Sequence, residues 1–191
     1  MTGELLQAAS AASGSDPQPP ALWLVVLGGR TASSQIELHD VRFVAGRTIE
    51  ETLPELRRQW FGRREGLHLD SFMAVRAIDG WTVRLGRQPS APGPERLWFV
   101  NLGAYRPDSL AELHHFGLVV ARSPQAAKAA ARRQWLGGAL QLHKDDLWAV
   151  DDCLALEQLE LLGERWHVQL EPHPQGLSQP QVPDWFGYRP I

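Results

Sequence analysis

One cysteine, Cys153, occurs in 191 residues, so no internal disulfide is possible and burial alone must stabilise the fold. Its setting, Asp151-Asp152-Cys153-Leu154, is acidic and disfavours a thiolate, so it reads as a buried structural residue. No apolar run approaches the roughly 20 residues of a membrane helix. The first 20 residues have no basic n-region, which argues against a secretory signal and makes the cytoplasm the expected compartment. Excess charge is also lacking: a net charge of −3 argues against a general nucleic-acid or anionic-membrane binder. There is no G-x-S-x-G elbow, Walker loop or CxxC pair. Gly28-Gly29 follows an apolar run, but the lysine, further glycines and adjoining helix of a phosphate loop are missing.

What is present is a duplication. Leu22-Trp-Leu-Val-Val-Leu-Gly-Gly29 returns as Leu97-Trp-Phe-Val-Asn-Leu-Gly-Ala104, an offset of 75. The same offset carries Glu37-Leu38-His39 onto Glu112-Leu113-His114 and Arg57-Arg58-Gln59-Trp60 onto Arg132-Arg133-Gln134-Trp135. It also carries His68-x-Asp70 onto His143-x-Asp145. Trp81 aligns with Trp166 at an offset of 85, which places about ten added residues in Leu154–Glu164, at a hairpin end. Six of the eight tryptophans fall at matching positions, as a packing scaffold built twice would.

Each unit reads β-β-α-β-β. Leu22–Leu27 is continuously apolar, the pattern of a strand buried on both faces. A second strand begins around Val41. Thr48-Ile-Glu-Glu51 has the capping-box form, starting a helix that carries Pro54 and ends near Trp60 or Phe61 with Gly62 as C′. Ser123-Pro124 starts the second helix, which ends at Gly137. Asp79-Gly80 is a type I′ hairpin signal. The expected organisation is an N-terminal arm (1–21), a first repeat (22–86), a Pro-rich linker (87–96), a second repeat (97–170) and a Pro/Gln-rich tail (171–191) with an aromatic end. The fold class is α+β, two ββαββ units on a pseudo-twofold, mostly antiparallel sheet with one helix each.

The doubled polar set is the best candidate for chemistry. Residues i and i+2 of an extended segment share a side, so Glu37, His39, His68 and Asp70, and likewise Glu112, His114, His143 and Asp145, would each gather two imidazoles and two carboxylates. That inventory suits a divalent metal or a His–Asp general base; hydrogen bonding to the turns around the helix is the structural alternative. Arg57-Arg58 and Arg132-Arg133 complement the helix C-termini and, read functionally, offer an anion or RNA clamp. Trp185 and Tyr188 are the binding candidates of the tail, which is expected to dock on the body because exposed aromatics lower solubility.

Taken together, Leu-Trp-x-Val-x-Leu-Gly, Glu-Leu-His-Asp-x-x-Phe-Val-x-Gly, Gln-Trp-Phe-Gly and Leu-His-x-Asp-Ser-Phe resemble the bacterial family of domain of unknown function 1543 over about residues 22–170. The resemblance implies a soluble bacterial protein with two copies of the domain and brings no cofactor or catalytic residue with it. The second copy departs from the pattern at His115 for Asp40 and Ala121 for Gly46.

The leading functional reading is a non-enzymatic cytoplasmic binding module, holding a protein partner or small ligand in the groove between copies or on the tail, with no cofactor. The alternative is a metal-dependent hydrolase or nuclease-like enzyme using the Glu-x-His/His-x-Asp set. RNA or anion binding by the arginine pairs comes third.

Overall fold

The computed structural model describes residues 19–89, 93–104, 108–136, 149–161 and 163–191. The first repeat runs β1 (Ala21–Gly29), β2 (Leu38–Gly46), α1 (Ile49–Gln59), β3 (His68–Val75), β4 (Ala77–Ile78) and β5 (Trp81–Gly86). The second runs β6 (Arg96–Ala104), β7 (Leu113–Ala121), α2 (Pro124–Leu136), β8 (Ala149–Leu156), β9 (Gln158–Leu161) and β10 (Glu164–Pro172), and the tail adds β11 (Trp185–Pro190). The chain is α+β, and its strand pairs are antiparallel.

The described residues form three sheets, with orders β11-β3-β1-β2, β7-β6-β8 and β4-β5-β10-β9. The first two are the repeats' own sheets. The third is shared: the hairpin of each repeat joins the other through β5 and β10. The apolar run of β1 is continuous because both its faces are buried. Leu22 and Leu24 join Leu97, Phe99, Leu118 and Leu156 in a core between the repeats, closed by Val83, Leu85 and Val168 of the shared sheet. Val25 and Leu27 turn the other way, onto Ile49 and Leu56 of α1. The second repeat copies this, with Val100 and Leu102 on Ala127 and Ala131 of α2. The helices are thus outer layers on opposite sides of two packed sheets.

The duplication holds in fine contacts. Trp23 and Trp98 each donate Nε1–H to the carbonyl at the end of the next strand, Gly46 and Ala121, both at 2.9 Å. The exchange of Gly46 for Ala121 is a packing matter. A Cβ on Gly46 would come within 2.6 Å of the Thr52 methyl, and the second repeat, which carries that Cβ, has Ala127 in place of Thr52.

The local structure departs from the expected one in three places. Thr48 caps α1, accepting from Glu51 N at 3.4 Å, but the Glu51 carboxylate reaches back to Arg47 N, not to the cap residue. The helix stops at an extended Trp60, and Gly62 is no left-handed cap. Gly62 is small because the Arg30 carbonyl and the Trp60 indole lie 2.6 and 2.7 Å from where its Cβ would stand. Gly137 lies outside the described residues. Asp79 and Gly80 do take positive φ, 50° and 80°, as a type I′ turn requires.

Nor do the ten added residues all lie at the hairpin end. Leu22 pairs with Val75 and Leu97 with Leu156, so β8 is offset from β3 by 81 rather than 75. Val83 N bonds Arg76 O, and Val168 N bonds Glu157 O, which puts β5 and β10 at an offset of 85. Six residues therefore enter before β8 and only four in the hairpin.

Candidate functional site

The end of β1 organises the site. Gly28 pairs with His39 on β2 and His68 on β3, and His68 pairs outward with Pro190 on β11, giving one row across the sheet. A Cβ on Gly28 would stand 2.3 Å from His68 Nε2 and 3.1 Å from Asp70 Oδ2. The glycine is required because the imidazole occupies its side-chain space. A register shift between Val26 and Leu27 leaves Asp70 without a partner on β1, a bulge that re-aims its side chain. The second repeat has a register shift at the equivalent place, between Asn101 and Leu102.

All four expected residues of the first copy meet here. His68 is 1% exposed. Its Nδ1 lies 2.8 Å from the Gly66 carbonyl, and its Nε2 lies 3.2 Å from Asp70 Oδ1 and 3.5 Å from Glu37 Oε1. The second Asp70 oxygen, Oδ2, lies 3.3 Å from His39 Nε2. The two oxygens of Asp70 thus serve two different imidazoles. Among the described residues no group of three or more His, Cys, Asp or Glu side chains is placed to hold a metal ion. The four side chains form a chain of close contacts, Glu37 to His68 to Asp70 to His39.

Of the second copy's set, Glu112 and His114 lie among the described residues. Glu112 and His114 keep their positions, with 3.8 Å between Oε2 and Nε2. His143 and Asp145, matched to His68 and Asp70 by the offset of 75, lie outside the described residues. The strand position opposite Gly103, which His68 holds opposite Gly28, belongs to Ala149, and the bulge position of Asp70 falls to Asp151. Six residues inserted ahead of β8 moved the strand relative to its own sequence pattern.

The aromatic tail pairs with the edge of this sheet and reaches the site. Its docking as β11 brings the Tyr188 ring within 4.3 Å of His68. Trp185 stacks on Phe72 at 5.5 Å and 15°, so it anchors the strand, while Tyr188 is 66% exposed over the buried histidine. The Gly-Gly ending of the apolar run was the available signal for a close approach at Gly28. Tyr188 stood out in the sequence as part of an aromatic tail, but nothing there placed it over His68.

The arginine pairs do not come together. Arg58 is held by both oxygens of Glu55, at 2.6 and 2.7 Å, and these bonds keep the Glu55 carboxyl below its ordinary value. Arg57, Arg132 and Arg133 are exposed on helices belonging to opposite outer layers.

Beside the His39 end of this network, a groove of about 330 Å³ lies between the repeats, lined by Val26, His39, Asp40, Val41, Phe99, Asn101, His114 and Phe116. Three pairs in that lining are equivalent positions of the two copies: Val26 with Asn101, His39 with His114, and Val41 with Phe116. The groove therefore sits on the pseudo-twofold.

Fold and site together define a two-repeat α+β protein with a groove at its internal symmetry axis. The chain belongs to the family described as Domain of Unknown Function (DUF1543), which matches residues 34–85 and 109–158. The crystal structure of a protein Il1583 from Idiomarina loihiensis is similar at 38% identity and a TM-score of 0.68, covering 90% of this chain and 97% of that one. No curated protein matches. Among the described residues no helix is long and apolar enough to cross a membrane.

Proposed function

We propose that the protein is a non-enzymatic binding module that holds a small ligand in the groove between its repeats. The observation behind this reading is the groove itself, about 330 Å³ with an apolar floor of Val26, Val41, Phe99 and Phe116 and polar groups at its margin. Small-molecule sites have this character: concave, mostly apolar, with few convergent polar groups. A protein partner would need a much larger complementary surface. The test is a fragment screen by ligand-observed NMR on wild type and Val41→Trp, whose indole would fill the groove. Fragments should bind wild type and be lost in the variant. Fragments that bind both proteins equally, or none that bind wild type, would overturn the reading.

The metal-dependent hydrolase reading is weaker, because Asp70 divides its oxygens between His39 and His68 and does not share one point with them. An RNA or anion clamp is weaker still, with the arginine pairs on opposite layers.

A further inference from the structure

We infer that His39 is the hydrogen-bond acceptor that selects the groove's ligand, and that this ligand is a neutral hydroxyl compound on an apolar ring, of the phenol or enol class. The inference rests on the groove-binding reading above and adds the chemistry of its occupant.

The chain of contacts behind His39 sets its tautomer. The Gly66 carbonyl accepts from His68 Nδ1 at 2.8 Å, and His68 Nε2 faces Asp70 Oδ1 at 3.2 Å. The neighbours of the His68 ring, Gly66 O, Asp70 Oδ1 and Glu37 Oε1 at 3.5 Å, are all acceptors. Asp70 is thereby held with its other oxygen on His39 Nε2 at 3.3 Å. A carboxylate only accepts, so the hydrogen of the neutral His39 ring belongs on Nε2 and the lone pair on Nδ1. Among the described residues no hydrogen bond engages His39 Nδ1, and His39 lines the groove.

The other polar groups of the lining are engaged. Asp40 accepts from Val41 N at 2.8 Å and pairs with Arg42, and Asn101 Nδ2 meets His114 Nδ1 at 3.3 Å. The group left for a ligand is an acceptor, which calls for a donor on the ligand. Between two donor types, burial against Val26, Val41, Phe99 and Phe116 disfavours an ammonium, which loses its hydration, and admits a hydroxyl. A carboxylate ligand would meet a lone pair at Nδ1, with Asp70 behind it. Phe99 and Phe116, 6.0 Å apart and inclined at 49°, offer faces and edges for a ring.

The experiment titrates the full-length protein, methyl-labelled at valine, with phenol, anisole and benzoate, following Val26 and Val41 by NMR. Long-range proton–nitrogen spectra report the tautomer of His39. Phenol should move both valines and bind roughly tenfold more tightly than anisole, the worth of one hydrogen bond. Two variants check the assignment. His39→Ala should abolish the preference for phenol. Asp70→Asn, whose amide can donate to Nε2, should shift the His39 hydrogen to Nδ1 and remove the same preference, leaving the weak anisole binding in place. Equal binding of phenol and anisole, tighter binding of benzoate, or an unchanged preference in Asp70→Asn would overturn the inference while the moving valines kept the groove reading. Valines that none of the three probes moved would end both.

Discussion

At the scale of single residues the molecule is most constrained where a side chain is missing. His68 lies in the space a Cβ on Gly28 would take, and tight cores do not yield to an added methyl without strain. Gly28→Ala is expected to cost about 1–3 kcal/mol and to dislodge His68 from the Gly66 carbonyl. Urea denaturation and the His68 ring resonances would report the two effects together. A variant as stable as wild type with an unmoved ring would show that the backbone relaxes instead. Trp23 and Trp98 give a paired test of the duplication. Each donates one bond to an equivalent carbonyl, so phenylalanine at either site should lower stability by a similar amount, about 1 kcal/mol. Markedly unequal losses would mean the copies no longer use the residue alike.

At the scale of elements, α1 carries the clearest acid dependence. Hydrogen bonds from Arg58, opposed by partial burial and aided by Gln59, hold the Glu55 carboxyl below its ordinary value. A carboxyl depressed in the folded state stabilises above its unfolded value, about 4.3, and the contribution is lost as pH falls through the folded value. The stability gap between wild type and Glu55→Gln should therefore be present at pH 7 and close below about pH 4; a gap that widens in acid would contradict this. The tail strand makes a larger difference. Trp185 on Phe72, Asp184 Oδ2 on Ala74 N at 2.8 Å and Arg189 on Glu50 at 3.1 Å tie β11 to β3 and α1. Removing residues 184–191 opens the β3 edge and should cost at least about 2 kcal/mol, read by chemical denaturation. An unchanged midpoint would make the strand an ornament.

At the scale of the whole molecule, neither repeat closes its own core. Leu22, Leu24, Met73 and Val75 are covered by residues of the second repeat, and β5 finds its outer neighbour in β10. Residues 19–89 expressed alone would expose that face and an unpaired edge, a surface that drives pairing or unfolding. The expected product is an unfolded chain or a dimer rebuilding the pseudo-twofold. Sedimentation with circular dichroism decides it, and a folded monomer would show that the repeats are independent domains. The groove follows from the same arrangement, since it exists only where the two sheets meet.

The duplication, the ββαββ order, both helix starts, the type I′ turn and the family were legible in the chain. All of these depend on residues close in sequence, where spacing, capping and turn chemistry act directly. The meeting of Glu37, His39, His68 and Asp70 was legible too, because each pair is two residues apart on an extended segment. His143 and Asp145 lie outside the described residues. A matching motif says nothing of register, and six residues inserted before β8 put Ala149 at the strand position of His68. The sharing of one sheet by two hairpins, the seat of Tyr188 over His68 and the groove lined from both copies were decided only by the tertiary structure. Each depends on contacts between residues tens of positions apart, set by which apolar faces need covering, and no local pattern along the chain records that choice.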